Sequence, residues 1–353
     1  MMLALDETRP VRAGEELDTA KLAAFLADRF GLTEAPTVEQ FPGGHSNLTY
    51  CVTVADREFV LRRPPVGSKV KSAHDMGREV AVLSKLAPVY SRAPRVLAYD
   101  PTGEVLGAPC YLMERRHGVI LRERLPASLA ADHAAIRRSC EMLVDALVEL
   151  HAVDFEAAGL GAIGKPAGYI ERQVKGWTER YVASQTDDLP AVTEVAAWLA
   201  ANRPADGAPA LIHNDFKFDN VVFDPALASI SGVLDWEMTT IGDPLMDLGT
   251  SLAYWAQASD SPAYRRLPFG PTASTGMLTR QEFAGLYLAR SGRGADALVF
   301  FYAFGLLKVA VIAQQIYYRF ARGLTHDPRF AAMISAVGLL ADQARSAIED
   351  NSI

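Results

Sequence analysis

Cysteine is scarce in this sequence of 353 residues, with only Cys51, Cys110 and Cys140. Few, unclustered and odd in number, they frame neither a disulfide scaffold nor a zinc site, and they fit a reducing compartment. Long apolar runs are missing too. The most apolar segment, Ala297 to Leu307, is interrupted by Lys308. It falls short of the about 20 residues that span a bilayer and reads as a buried helix. Asp6 and Glu7 arrive too early for a signal peptide. The expectation is a cytoplasmic protein with no membrane partner. Positive charge is in deficit: Lys plus Arg number 35 against 42 Asp plus Glu, a net charge of −7. That removes the broad attraction nucleic-acid binding requires, without excluding a local basic pocket for phosphate. The signatures G-x-x-x-x-G-K-[ST], G-x-S-x-G and H-E-x-x-H are all absent.

What is present is globular: half the residues are hydrophobic and 22% are charged. The length favours two lobes. Residues 36–63 read as strand, glycine turn, strand, turn, strand. Val52-Thr53-Val54 and Phe59-Val60-Leu61 are the β-formers, and the breaker cluster Pro42-Gly43-Gly44 precedes them. A helix follows over roughly 74–86, then short β runs at 95–99 and 110–113. Beyond about residue 120 the pattern turns helical. Ile136, Cys140, Leu143, Leu147 and Leu150 recur at spacings of four and three. Further helices are expected near 169–184, 191–202, 243–257, 279–291, 294–320 and 329–348. The class is α+β, with a sheet-rich nucleotide-binding lobe over 1–115 and a mainly helical lobe, carrying a catalytic loop and acceptor site, over 116–353.

The chemistry concentrates in His213-Asn214-Asp215-Phe216-Lys217-Phe218-Asp219-Asn220, which has the spacing H-x-D-x-x-x-x-N, followed by Leu234-Asp235-Trp236-Glu237. Phosphoryl transfer needs a carboxylate for the attacking hydroxyl, oxygen ligands for Mg²⁺ and a cationic clamp on the phosphates. Asp215 suits the first role. Asn220 and Asp235 suit the second, since Mg²⁺ takes hard oxygen ligands alongside phosphates and water. An isolated H-x-D is usually a polar surface loop; the full pattern with a downstream Asp on a β-like run is far more specific. His213 reads as a brace for the loop. Asp243 before Pro244 suits a helix N-cap. Gly159-Leu160-Gly161-Ala162-Ile163-Gly164 fits G-x-G-x-x-G literally. A helix precedes it where a dinucleotide site requires a strand, so it reads as a glycine-rich loop.

These motifs, in order, resemble the aminoglycoside-phosphotransferase-like family of small-molecule kinases, whose fold is similar to that of protein kinases. The resemblance covers roughly residues 36–350. It runs through Gly43 to Asn47, Phe59-Val60-Leu61-Arg62, Glu79, His213 to Asn220, Leu234 to Glu237 and Gly242 to Leu248. Arg62 to Gly67, Ala73 to Glu79 and Tyr169 to Gln173 are most similar to one subgroup, which includes the kinase-like domain fused to certain acyl-CoA dehydrogenases. The resemblance implies a two-lobed protein-kinase-like fold using ATP and Mg²⁺. Gly43, Gly44, Ser46 and Asn47 would form the phosphate turn, and Val60 would line the adenine site. Arg62, on the same strand face, would reach the α/β-phosphates and pair with Glu79, with Arg63 pointing the other way. Arg stands at Arg62 where such kinases usually place Lys, and its planar fork is not equivalent to an ammonium. Glu114 falls in the hinge, Tyr111 to Arg115, that would offer backbone groups to adenine. Lys217 would neutralise charge on the transferred phosphate, and Asp247 would brace the catalytic loop.

The expected activity is ATP- and Mg²⁺-dependent phosphorylation of a hydroxyl on a small molecule. Three alternatives stand beside it: a non-catalytic nucleotide-binding module, an aminoglycoside-inactivating kinase, and a protein kinase. The last lacks A-P-E and a D-F-G with an activation segment. The acceptor is expected to be hydroxylated, with a hydroxyacyl compound in view. The helix opening at Tyr169 is a possible wall for it, with Arg172 and Gln173 as contacts, against the simpler reading of Tyr169 and Trp177 as core.

Overall fold

A computed structural model describes residues 3, 6–42, 47–65, 76–294, 296–325 and 327–353. The chain has a two-lobed protein-kinase-like fold with a sheet-rich N-terminal lobe and a mainly helical remainder. It divides into two compact units. The first comprises Met1–Ile120 with Ala157–Leu160 and Val222–Met238, and the second the remainder. The expected single boundary at 115/116 thus lies a few residues later. Residues 222–238, expected in the helical lobe, belong to the first unit.

The first unit opens with helix α1 (Thr19–Phe30), which adds to the expected elements. Asp18 caps its start, accepting from Lys21 N at 3.0 Å, and Gly31, at φ 70°, ends it in the left-handed region. Strands β1 (Thr37–Gln40), β2 (Leu48–Val54) and β3 (Arg57–Arg63) follow. Helix α2 (Met76–Leu86) comes next, then β4 (Val96–Asp100) and β5 (Cys110–Glu114). The sheet is antiparallel in the order β1-β2-β3-β5-β4. Side chains alternate along β3. Phe59 and Leu61 join Tyr50, Val52, Leu112 and the α1 residues Leu22, Phe25 and Leu26 in one apolar core. Val60 and Arg62 are left for the opposite face, where α2 packs. Segment 222–238 is tied in by backbone bonds: Val119 pairs with Phe223, Leu3 N donates to Pro225 O, and Val233 N donates to Arg92 O. Ile230–Val233 runs as a strand that delivers Asp235 just past its end.

The second unit holds α3 (His133–His151), α4 (Tyr169–Ser184), α5 (Pro190–Ala201), α6 (Pro244–Ala253), α7 (Arg280–Ser291), α8 (Leu298–Ala321) and α9 (Met333–Glu349). All six helices expected after α3 are present. Asp243 does cap α6, accepting from Leu245 N and Gly207 N, each at 2.8 Å. Helix α8 continues through Lys308 and is apolar and long enough to cross a membrane, yet 78% of its most apolar window is buried within the fold. It packs on α4, α5, α6 and α9. Two glycines allow its closest contact: a Cβ at Gly249 of α6 would meet Phe301 O at 2.0 Å, and one at Gly305 would meet Gly249 O at 2.1 Å. A short antiparallel strand pair, Ala210–Ile212 with Thr240–Gly242, leads into residues 213–220 on one side and α6 on the other.

Candidate active site

In the first unit the site is built around Arg62. Its side chain is 8% exposed and makes a short ion pair through Nη1 with Glu79 Oε1 of α2. Nη2 donates to Asp235 Oδ1 at 3.0 Å and lies 3.8 Å from Glu237 Oε2. Burial disfavours the guanidinium charge, but Glu79, Tyr111, Asp235 and Glu237 outweigh it and hold Arg62 protonated. Its two nitrogens serve two carboxylates at once, which a lysine ammonium at the same place could not do with the same planar geometry. Asn47 donates from Nδ2 to Glu237 Oε2 at 2.8 Å, so Glu237 joins Asn47 to the Arg62 cluster, a contact with no signature in the motifs. Asp235 adopts φ 67°. A left-handed backbone at a non-glycine residue carries strain of the order of 1–3 kcal/mol, and such strain gathers at functional sites.

Val60 is buried and pairs with Met113 and Cys51 across the sheet. Arg63, on the other face, lies near Tyr50 and Cys110. The Glu114 N–H donates to Arg95 O at 3.0 Å, and its carboxylate pairs with Arg95 and Arg116. Gly43, Gly44 and Ser46 lie outside the described residues.

In the second unit Asp215 is the centre. Lys217 Nζ reaches its Oδ1 at 3.0 Å and Oδ2 at 2.9 Å. Asn220 Nδ2 donates to Asp215 Oδ2 at 2.9 Å and to its carbonyl at 2.8 Å. The amide nitrogen of Asn220 is thereby engaged, which leaves its Oδ1 as the group suited to a metal. Lys217 sits over the Tyr254 ring at 4.3 Å. Burial opposes its charge, but Asp215 raises its pKa.

The loop carrying Asp215 is held from behind. Asp247 of α6 is fully buried and accepts from His213 N and Asn214 N, both at 2.7 Å. His151, at the end of α3, lies between Asp247 Oδ2 (3.1 Å) and the Tyr287 hydroxyl (2.6 Å). Burial disfavours the Asp247 carboxylate, but His151 and the loop N–H groups outweigh it and keep the carboxyl below its usual range. His213 Nδ1 accepts from Asp215 N at 3.2 Å. Asp247 and His213 are therefore braces, as expected. His151 and Lys308 were not among the expected site residues; a His at the end of amphipathic α3 and a Lys inside apolar α8 are the only marks they leave in the sequence.

The residues offered for the acceptor behave differently. Tyr169 and Trp177 are buried. Arg172 donates to the carbonyls of Lys165 and Ala167, bracing the preceding loop, and Gln173 accepts from Trp177 Nε1 at 3.2 Å. Beside Lys217, a small cavity is walled by aromatic side chains including Phe218, Tyr254, Trp255 and Phe269, and no carboxylate lines it. The Gly159–Gly164 segment ends in a short 3₁₀ turn with Gly164 against the Ile241 backbone, a packing loop.

The oxygen donors suit Mg²⁺. Asn220 offers an amide oxygen in the second unit and Asp235 a carboxylate in the first. Among the described residues no group of three or more His, Cys, Asp or Glu could hold a metal by itself.

Fold and site together define a small-molecule phosphotransferase of the kinase-like type. The family model described as "Phosphotransferase enzyme family" (APH) matches residues 37–283, and the chain belongs to that family. Acyl-CoA dehydrogenase family member 10 of Mus musculus is 34% identical over 325 residues, covering 91% of this chain and 30% of that protein. The chain spans between 30% and 41% of the length of the curated relatives it matches. A Ralstonia eutropha protein named as a candidate aminoglycoside phosphotransferase superposes with TM-score 0.75 at 27% identity, covering 94% of this chain and 99% of that one. The aminoglycoside phosphotransferase APH(4)-Ia, solved with AMP-PNP and hygromycin B, shares the fold at TM-score 0.61 and 19% identity, covering 93% and 99%.

Proposed function

We propose that the protein transfers the γ-phosphoryl group of ATP to a hydroxyl of a small molecule. The observation that carries this is the state of Asp215: a carboxylate held by Lys217 and Asn220, on a loop whose backbone is fixed by Asp247. Asp215 accepts the acceptor's hydroxyl proton as the oxygen attacks the γ-phosphorus. A new P–O bond forms, the bond between the γ-phosphorus and the bridging oxygen breaks, and ADP leaves with that oxygen's electrons. Lys217 neutralises charge on the group in flight. Arg62, fixed by Glu79, positions the α- and β-phosphates, with Asn47 beside them and Val60 against the adenine. Asn220 and Asp235 would hold Mg²⁺, which would neutralise phosphate charge when bound.

For the acceptor we propose a hydroxyacyl compound. One observation supports it. The curated relatives are acyl-CoA dehydrogenase family members, and phosphorylating a hydroxyl on an acyl chain creates a leaving group. The test is a phosphotransfer screen followed by ³¹P NMR, with hydroxyacyl-CoAs, free hydroxy acids, choline-like alcohols, sugars and aminoglycosides as acceptors. Phosphate-ester formation on hydroxyacyl compounds is expected. Efficient transfer to an aminoglycoside with none to hydroxyacyl compounds would overturn the acceptor; ATP turnover with no acceptor dependence would overturn the kinase reading.

A further inference from the structure

Helix α8 is buried along most of its length and apolar, yet Lys308 sits in its middle, 2% exposed. Its Nζ donates to the carbonyl of Asn214 at 2.7 Å and to Asn214 Oδ1 at 3.1 Å. It also lies 5.9 Å from the centre of the Trp177 ring. Burying an ammonium is costly, and here burial pushes its pKa down to about 8. A core helix gains nothing in packing from such a group that a methionine would not supply, so the reason for the lysine lies in what it holds.

What it holds is an unusual peptide. Asn214 has φ 68°, a left-handed conformation that a non-glycine residue adopts at a cost. Its N–H goes to Asp247 Oδ1 and its carbonyl to Lys308. That carbonyl belongs to the peptide group whose nitrogen is Asp215 N, the atom that donates to His213 Nδ1. An anion on one side and a cation on the other therefore pin the two peptide groups that set the direction of the Asp215 side chain.

We infer that Lys308 is a positioning residue for Asp215, acting through the left-handed Asn214 rather than on any substrate. The inference rests on the phosphotransfer reading only for its kinetic consequence; its structural consequence can be measured without turnover. It separates Lys308 from an ordinary core residue, because the need for it should diminish when residue 214 no longer pays for its conformation.

The test compares wild type, Lys308→Met, Asn214→Gly and the double variant. Hydrogen exchange should show lost protection at the amides of His213, Asn214 and Asp215 in Lys308→Met, with α8 and α9 unchanged. With an active acceptor in hand, kcat should fall by ~10–100-fold while the KM for ATP stays within about twofold, as expected when a reacting group is misplaced by about an ångström. Glycine accepts the left-handed region freely, so the double variant should recover roughly fivefold or more of the lost kcat. Lys308→Leu, which likewise cannot donate to Asn214, serves the same comparison if Lys308→Met does not fold. Unchanged exchange at 213–215, or a double variant no better than Lys308→Met, would overturn the inference. Failure of both single variants at 308 to give folded protein would overturn it too, assigning Lys308 to stability alone. If wild type phosphorylates no acceptor, the proposed function fails while the exchange comparison still decides the role of Lys308.

Discussion

Replacing Asp247 by Asn changes one atom and tests the frame behind the catalytic loop. In wild type, one carboxylate oxygen faces Asn214 N and the other faces His213 N and His151 Nε2, all without solvent access. An amide has a single oxygen. Whichever way it turns, its NH₂ confronts a donor, and a buried N–H loses its acceptor. A hydrogen bond to a charged group contributes about 1.5–3 kcal/mol, and an orphaned buried donor costs about 1–3 kcal/mol. A loss of about 3–5 kcal/mol is therefore expected, a large share of the ~5–15 kcal/mol that holds a domain folded. Urea unfolding at 25 °C measures it directly. The pH dependence supplies a second check with a definite sign. The folded carboxyl lies below its usual range. Its stabilisation is complete above the unfolded value of about 3.9 and is lost as pH falls through the lower folded value. The stability gap between wild type and Asp247→Asn should therefore hold at neutral pH and shrink on acidification below about pH 4. A variant within about 1 kcal/mol of wild type at pH 7, or a gap that stays constant into acid, would refute the argument.

Asp235→Ala should weaken nucleotide binding in the presence of Mg²⁺ more than in EDTA, because a hard oxygen ligand is removed; calorimetric titration showing equal affinity to wild type with Mg²⁺ would count against the metal assignment. Asp243→Ala should lower the melting temperature without changing the KM for ATP. It removes acceptors for Leu245 N and Gly207 N, a loss of about 1–2 kcal/mol, and differential scanning fluorimetry reads the shift.

Much of this site was legible because it is local. The spacing from His213 to Asn220 fixes which groups one loop can bring together, and Asn220 does return to Asp215. The period of two along β3 separates Arg62 from Arg63, and the Asp-Pro pair at 243–244 marks a helix start. What was not legible depends on partners far along the chain. Lys308 meets Asn214 across 94 positions, and His151 meets Asp247 across 96. No local pattern distinguishes such residues from other polar groups in their helices. The placement of residues 222–238 with the first unit follows from their bonds to Leu3, Arg92 and Val119, again long-range. Arg172 looked available for a substrate because sequence shows its charge but not the two carbonyls of the preceding loop that engage it.

The central claim is that Asp215 acts as the base in phosphoryl transfer, and the direct measurement is single-turnover transfer from ATP to the acceptor by Asp215→Asn. The variant keeps an acceptor oxygen for Lys217 and Asn220, so it should fold and bind ATP as wild type does. Its transfer rate should fall by ~10²–10⁴-fold, the usual contribution of a general base. A wild-type rate in a folded, ATP-binding Asp215→Asn protein would contradict the account.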